Sequence, residues 1–363
     1  MIANLSTYWR GMANGTRTGI IARGAILLLA PVSALYSLAV RLRAALYSRA
    51  LLQTRHLPRP VISVGNITVG GTGKTPVTAY IAALLLRQGL RVAVLSRGYG
   101  GSMEGKVAMV SDGTTVVLEA RECGDEPFLL ASTVPGLMVV IGSDRHAAGL
   151  LAIRQLSPDI LLLDDGFQHL RLHRDLNILL LDSAHPYGNG RTLPAGLLRE
   201  PVSAAERADL VIHTRCPEGA AGIVTPAGIP GCRAGHRITD ALSLVNRLPT
   251  PLSLLTGKKV IAFAGLGEPE LFFDELRSHG LSLVHTISFP DHTTYDRGDV
   301  DLICKALQRY SADTLITTEK DGVKLGGLPP DVAGCVMLAR LELVMENPAI
   351  LNDHLRNLLQ KKS

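Results

Sequence analysis

Val61-Ile-Ser-Val-Gly65-Asn66-Ile-Thr68-Val-Gly70-Gly71-Thr72-Gly73-Lys74-Thr75-Pro76 decides how the rest of the chain is read. Val61 to Val64 is a short β-branched apolar run, suited to a buried strand. The glycines at 70, 71 and 73 let the backbone fold tightly and turn its N–H groups outward. Val77-Thr-Ala-Tyr-Ile-Ala-Ala-Leu-Leu-Leu-Arg-Gln then reads as a helix, with Pro76 in its first turn and Gly89 at its C-terminal stop. A glycine loop feeding a helix N-terminus is an anion site, because amides and helix dipole face the same way. Lys74 is placed to reach β/γ-phosphates, and the Thr75 hydroxyl to hold Mg²⁺. Thr68 departs from the general pattern, standing where the first glycine of such a loop belongs.

Asp159-Ile-Leu-Leu-Leu163-Asp164-Asp165-Gly166-Phe167-Gln168-His169 is the second strong signal, an apolar strand that ends in acids. A carboxylate at that edge sits beside the phosphate loop and can orient Mg²⁺ or its water. Further apolar runs at Arg91 to Ser96, Leu137 to Ile141, Leu176 to Leu181 and Leu210 to His213 alternate with helical stretches. Such alternation implies a parallel sheet covered on both faces, with ligands at the carboxyl ends of its strands. Val107 to Val110 and Thr115 to Leu118 read as a hairpin. Cys216 to Thr256 is rich in Gly, Pro, Thr and Ala and reads as a connection, with weak strand signals at Arg233 to Ile238 and Leu242 to Leu248. A second α/β unit begins at Lys259 to Ala264; its Gly265-Leu-Gly267 lacks the third glycine of a dinucleotide fingerprint and reads as a turn. Asn347 to Leu359 reads as a final amphipathic helix.

The 363 residues suffice for about two domains with sizeable cores. Five cysteines without a C-x-x-C pair point to a reducing compartment, away from a disulfide framework or zinc knuckle. The net charge of +5 is unevenly placed: twelve Arg and Lys residues, from Arg10 to Arg97, precede the first acid, Glu104. That front suits a strongly negative partner such as anionic lipid or phosphates. No aromatic-interleaved RNA motif or zinc finger accompanies it, so nucleic acid is not expected. Gly24 to Val40 is uncharged and mostly apolar, too short a run to cross the roughly 30 Å hydrocarbon core. It contains Pro31, Ser33 and Ser37, and from Leu35 it turns amphipathic. The stretch reads as a helix lying in a membrane interface. A core helix, or an Arg-rich leader without acids, reads the same residues differently.

Taken in order, Gly65-Asn66, Gly70-Gly71-Thr-Gly-Lys-Thr-Pro76, Ser96-Arg97-Gly98-Tyr99-Gly100, Gly124-Asp125-Glu126-Pro127, Asp164-Asp165-Gly166-Phe167-Gln168-His169, Leu198-Arg199-Glu200-Pro201, Asp291-His292 and Thr318-Glu319-Lys320-Asp321 carry a resemblance. The chain resembles the tetraacyldisaccharide 4′-kinase family, the lipid A 4′-kinase of Gram-negative bacteria, over nearly its whole length. Within that family the missing first glycine is expected. The resemblance implies an α/β fold of two α/β/α sandwich domains, the first P-loop NTPase-like, plus an N-terminal membrane-associating helix. The division expected is 1–57 for the helical segment, 58–232 for the P-loop kinase domain, 233–255 for a linker or ribbon and 256–363 for a smaller C-terminal domain. It also implies ATP·Mg²⁺-dependent phosphorylation of the 4′-hydroxyl of a tetraacylated glucosamine disaccharide 1-phosphate, at the cytoplasmic face of the inner membrane. The implied partners are that lipid A precursor and anionic membrane lipid, with no obligate protein partner.

Carried onto this sequence, the resemblance gives Gly70, Gly71, Thr72, Gly73, Lys74 and Thr75 to the nucleotide. It gives Thr75, Asp164 or Asp165, and Glu200 to the metal. Arg199 stands near the reacting phosphate, and Asp125 with His292 is the acid–base pair, completed by closure of the two domains. On residue type alone, Asp125 reads equally as a helix cap, His292 as a loop histidine, His169 as an orderer of the Asp164-Asp165 turn, and Arg199 as the ion-pair partner of Glu200 or Glu206. Two rival functions stand beside the kinase: a P-loop GTPase or ATPase acting as a membrane-associated chaperone or switch, and a non-catalytic nucleotide-dependent adaptor. Against the GTPase, Gly166 lies one place early for Asp-x-x-Gly, and Lys320 one place late for a guanine motif.

Overall fold

The computed structural model describes residues 2–217, 225–226, 228–291 and 293–360. Two helices, α1 (Ile2–Ala13) and α2 (Ile20–Ser48), precede the sheet. The first strand set follows: β1 (Val61–Asn66), α3 (Lys74–Arg87), β2 (Val92–Ser96), β3 (Ala108–Asp112), α4 (Ala120–Cys123), α5 (Asp125–Thr133), β4 (Met138–Ile141), α6 (Arg145–Leu156), β5 (Ile160–Asp164), β6 (Leu176–Asp182) and β7 (Leu210–Thr214). Then come β8 (Gly231–Ser243) and β9 (Pro249–Pro251), and the second set: β10 (Lys259–Ala264), α7 (Pro269–Ser278), β11 (Ser282–Ser288), α8 (Arg297–Arg309), β12 (Thr314–Thr318), α9 (Glu319–Gly322), α10 (Pro330–Ala333), β13 (Val336–Glu346) and α11 (Pro348–Gln360).

β1 lies at the centre of the first set, between β5 and β6 and parallel to both. Its residues alternate faces: Ile62 and Val64 enter the core beneath α3, while Val61 enters the core beneath α6 with Leu161 and Leu163 of β5. With both faces covered, the whole strand is buried, as the apolar run requires. β10 repeats the pattern in the second set, Ile261 and Phe263 to one face and Val260, Ala262 and Ala264 to the other.

One continuous sheet carries both sets, in the order β11-β10-β12-β13-β8-β7-β6-β1-β5-β2-β4-β3. The long β8 is the seam. Its start runs parallel to β7, and most of its length pairs antiparallel with β13, from Arg233 opposite Glu346 to Ser243 opposite Met337. β12 and β10 run parallel to β13. The carboxyl ends of the second set therefore point back at those of the first, and a cleft opens between two ligand-binding edges. Within the stretch read as a connection, the weak signal at Arg233 to Ile238 and the start of the one at Leu242 to Leu248 belong to this one strand, and β9 pairs back on its end. The glycines and half-buried alternation of β8 hide it from composition. Thr115 to Leu118 turns back on β3 without forming a full strand: Ser111 bridges Val116, Val117 N–H donates to the Val110 carbonyl at 2.8 Å and Asp112 N–H to the Thr115 carbonyl at 3.3 Å.

α11 joins the first set's core, not the second's: Leu351, Leu355 and Leu358 sit in one cluster with Ile81 and Leu85 of α3. α2 is longer than its uncharged run. Its 29 residues extend about 43 Å at about 1.5 Å per residue, enough to cross a hydrocarbon core. Leu28, Leu35, Leu38 and Leu42 are exposed on it, and 6 % of its most apolar window is buried, so it is not a core helix. Ser33, Tyr36 and Arg43 face the protein: Ser33 Oγ donates to the Thr192 carbonyl at 2.7 Å and Tyr36 Oη to the Arg199 carbonyl at 2.9 Å. Arg43 bonds the Gln168 carbonyl at 3.3 Å.

Candidate active site

The loop after β1 is held from behind before any ligand arrives. Val69 N–H donates to the Leu197 carbonyl at 2.8 Å, Arg199 N–H to the Ile67 carbonyl at 2.7 Å, and Thr68 bridges Leu198. Thr68 thus extends the strand where other phosphate loops turn, so no glycine is needed there. The tight turn comes later, at Gly70 and Gly73, with φ of +116° and +72°. Gly73 is the N-cap of α3 and brings no side chain to the first-turn amides, and no acid lies in that turn. The helix N-terminus is left for an anion. Thr214 Oγ1, at the end of β7, donates to the Thr72 carbonyl at 2.9 Å. His236 of β8 packs beside Gly73; burial foremost, then Arg215, pulls its pKa down to about 4, so it is neutral at physiological pH.

Asp164 ends β5 opposite Val64, one step before the loop. It is fully buried and accepts a hydrogen bond from Thr78 Oγ1 at 3.0 Å. Burial, then Glu126 and Asp165, pushes its carboxyl up to about 7. Asp165 follows in a left-handed conformation, φ +53°, which turns its side chain toward the cations. Lys74 Nζ is 3.8 Å from its Oδ1, and Arg199 Nη1 is 3.3 and 3.0 Å from its two oxygens. Burial opposes the charge on Asp165, but Lys74 and Arg199 outweigh it and lower the pKa. The glycine at 166 is obligatory, since a Cβ there would lie 2.5 Å from that of Leu163. His169 beyond it is neutral too, drawn down to about 4 by burial, then Arg145 and Arg174.

Glu200 is buried and ion-paired with Arg207, while its Oε1 has no hydrogen-bond partner. Asp125 is the first residue of α5 and does not cap it; Gly124, φ +91°, holds the cap position. Instead the Asp125 carboxylate reaches Lys324 of the second strand set, Oδ2 to Nζ 3.4 Å. His292 lies outside the described residues; its neighbour Asp291 pairs with Lys320 at 3.1 Å. Lys74, Thr75, Asp125, Asp164, Asp165, Arg199, Glu200 and Asp291 all line one open cleft of about 2940 Å³. Among the described residues no three His, Cys, Asp or Glu side chains form a closed metal cage. Mg²⁺ does not need one, since it takes one or two carboxylates, waters and phosphate oxygens. The crowding of Glu126, Asp164 and Asp165 fits that cation, because after burial it is the charges of Glu126 and Asp165 that raise Asp164, and a bound cation relieves that repulsion.

Two buried cations escaped the sequence reading. Arg145 donates to the carbonyls of Gly142 and Asp164, bracing the ends of β4 and β5, and burial draws its guanidinium down to about 10. Lys324 is the other. Each follows a motif that the sequence does display, Asp144 for the first and Thr318 to Asp321 for the second, but only the fold brings them to the acids.

The profile of the tetraacyldisaccharide-1-P 4′-kinase family matches residues 25–360. The tetraacyldisaccharide 4′-kinase of Pelobacter propionicus is 60 % identical over 361 residues, 99 % of this chain and 100 % of that protein. The enzyme of the same name from Geobacter sulfurreducens is 58 % identical over 318 residues, 88 % of this chain and 89 % of its own. Among solved structures, LpxK from Aquifex aeolicus in complex with ATP superposes with a TM-score of 0.78 at 34 % identity, covering 92 % of this chain and 99 % of the other.

Proposed function

The chain belongs to the tetraacyldisaccharide-1-P 4′-kinase family, and from that premise we propose how its own residues carry the family's reaction. The enzyme is a kinase that uses ATP and Mg²⁺ to phosphorylate the 4′-hydroxyl of a tetraacylated glucosamine disaccharide 1-phosphate in lipid A biosynthesis. Membership sets aside the GTPase-switch and adaptor readings. The triphosphate binds the amides of Gly70 to Thr75 at the N-terminus of α3, and Lys74 holds its β/γ oxygens. Arg199 lies across Asp165 from Lys74 and adds a second cation for charge that develops on the transferred group. Thr75, Asp164 and Asp165 would hold Mg²⁺, and Glu200 joins them by exchanging Arg207. When bound, the metal neutralises phosphate charge and orients the γ-phosphoryl group.

Asp125 accepts the 4′-hydroxyl proton as the sugar oxygen bonds to the γ-phosphorus and the β–γ bridging oxygen leaves with ADP. His292 supports Asp125 from the second strand set. The observation that carries these assignments is the meeting of two carboxyl edges in one cleft, with Lys74, Asp164 and Asp165 on one side and the Asp291 loop on the other. Residues 58–232 and 256–363 act as two domains about the 233–255 ribbon, with α11 crossing back from the second to pack on the core of the first, and 1–57 is a membrane-associating segment. The protein is membrane-associated; α2 is the anchor, its exposed leucines in the apolar phase and its arginines toward anionic lipid of the cytoplasmic leaflet.

The test incubates the purified full chain with Mg²⁺, a monophosphorylated tetraacyl disaccharide in detergent, and ATP or GTP. A second phosphate on the lipid, seen by mass and formed with ATP, is expected; its absence with intact protein overturns the reading. Deletion of residues 1–50 should release the protein from anionic vesicles, and equal retention would place the anchor elsewhere.

A further inference from the structure

We infer that Lys324 is a positioning residue for Asp125: it grips the carboxylate from the opposite strand set and fixes its bearing on the acceptor hydroxyl. The inference rests on the reading of Asp125 as the proton acceptor.

Three observations carry it. First, the ammonium is bracketed by two acids, 3.4 Å from Asp125 Oδ2 and 3.2 Å from Asp321 Oδ1, with its side chain only 6 % exposed. Neither contact has hydrogen-bond geometry, so Nζ holds its neighbours by charge. Second, its anchor is rigid. Asp321 is fully buried and accepts bonds from Gly265 N–H at 3.0 Å and Thr318 Oγ1 at 2.8 Å, at the ends of β10 and β12. The Tyr295 ring lies 5.5 Å from Nζ on another side. Lys324 is thereby fixed to the second set, whereas Asp125 opens α5 of the first. Third, Asp125 lines the cleft and Lys324 does not, so the lysine stands behind the carboxylate and acts through it.

A lysine pinned on one strand set that meets a carboxylate on the other ties the bearing of that carboxylate to the closure of the cleft. It engages Oδ2, which sets the rotation of the group and so the direction of Oδ1. Removing the lysine should therefore slow turnover and leave nucleotide binding alone, because Lys74 and the loop amides are elsewhere.

The experiment compares the full-length enzyme with Lys324→Met, Lys324→Arg, Asp125→Asn and the Asp125→Asn/Lys324→Met double variant. The substrates are ATP, Mg²⁺ and monophosphorylated tetraacyl disaccharide. Lys324→Met should lose about tenfold or more in kcat while ATP KM stays within roughly twofold. Lys324→Arg should recover most of that loss, and the lysine change should add little on the Asp125→Asn background. Because Lys324→Met strands a buried Asp321 charge, Lys324→Met/Asp321→Asn is measured as well and should keep the kcat defect in a folded protein. Normal kcat in folded Lys324→Met or Lys324→Met/Asp321→Asn, or an equal loss on the Asp125→Asn background, overturns the inference. An Asp125→Asn enzyme with normal kcat overturns the base assignment too, and the two failures are thus told apart.

Discussion

The turn after β1 and the turn after β10 are the same device, strand into glycine turn into helix, in two halves of one sheet, yet they treat charge oppositely. After β1 the first helical turn holds no acid and no side-chain cap, and Lys74 stands beside the open amides. After β10, Gly265 N–H already donates to Asp321 Oδ2, and Glu268 and Glu270 sit at the start of α7. Arg215 pairs with Glu268 at 3.6 Å, and Arg10 caps the Gly267 carbonyl at 3.3 Å. In the second turn the chain's own carboxylate takes the place a phosphate has in the first. Topology supplies the amides; the residues around them decide whether a ligand or the protein itself fills them.

The sharpest break of this contrast is Lys74→Ala. It should cut kcat/KM by roughly 10²–10³, the usual loss on removing one charge-stabilising donor from a phosphoryl-transfer site. The melting temperature should barely move, since Lys74 projects into the cleft; near-normal turnover would refute the assignment. Gly73→Ala comes next. Its φ of +72° and a new Cβ 3.0 Å from His236 Cε1 strain the loop. A cost of about 1–2 kcal/mol should appear as a weaker ATP affinity and a lower melting temperature. Gly267→Ala in the sister turn should do almost nothing, within about 0.5 kcal/mol in stability and with unchanged kcat. Its φ is ordinary, and its new Cβ meets the flexible end of Arg10 at 3.2 Å and the Asp291 carboxylate at an ordinary 3.8 Å. Equal effects in the two turns would dissolve the comparison.

Asp164→Asn probes the acid side. The folded protein holds the Asp164 proton up to about pH 7, against an ordinary value of 3.8, so the ligand-free enzyme loses stability as pH rises through that window. The asparagine variant keeps an acceptor for Thr78 and carries no buried charge. Without nucleotide it should melt a few degrees above wild type at pH 8, with a smaller gap at pH 5, while its activity collapses. A lower melting point at pH 8 would mean that Asp164 is held by more countercharge than Lys74 supplies.

Much of the site was legible because its parts are contiguous. Gly70 to Thr75 and Asp159 to Asp165 each spell a strand end and the turn beyond it, and the fold needed only to set them side by side. What stayed hidden depends on distant approach. Ser33 reads as a blemish in an apolar run until Thr192 is found opposite it, exchanging two hydrogen bonds with it. Lys324 reads as one more lysine until β12 carries it to Asp125. The seam strand is masked for a different reason: a strand in which buried residues alternate with half-buried polar ones never builds the apolar run that marks β1 or β10.

The return of α11 to the core of α3 bears on how the enzyme is made. The chain leaves the first strand set along β8, builds the whole second set, and only then comes back along β13 to deliver Leu351, Leu355 and Leu358. On the ribosome, then, the nucleotide half is synthesised early but cannot seal itself; the apolar face of α3 waits for a helix translated after its partner domain. α2, by contrast, is translated before any strand and needs little of the core. Birth order thus runs exposed apolar helix first and a sealed nucleotide core last, and a premature stop before Pro348 costs the early half its closure rather than trimming a tail.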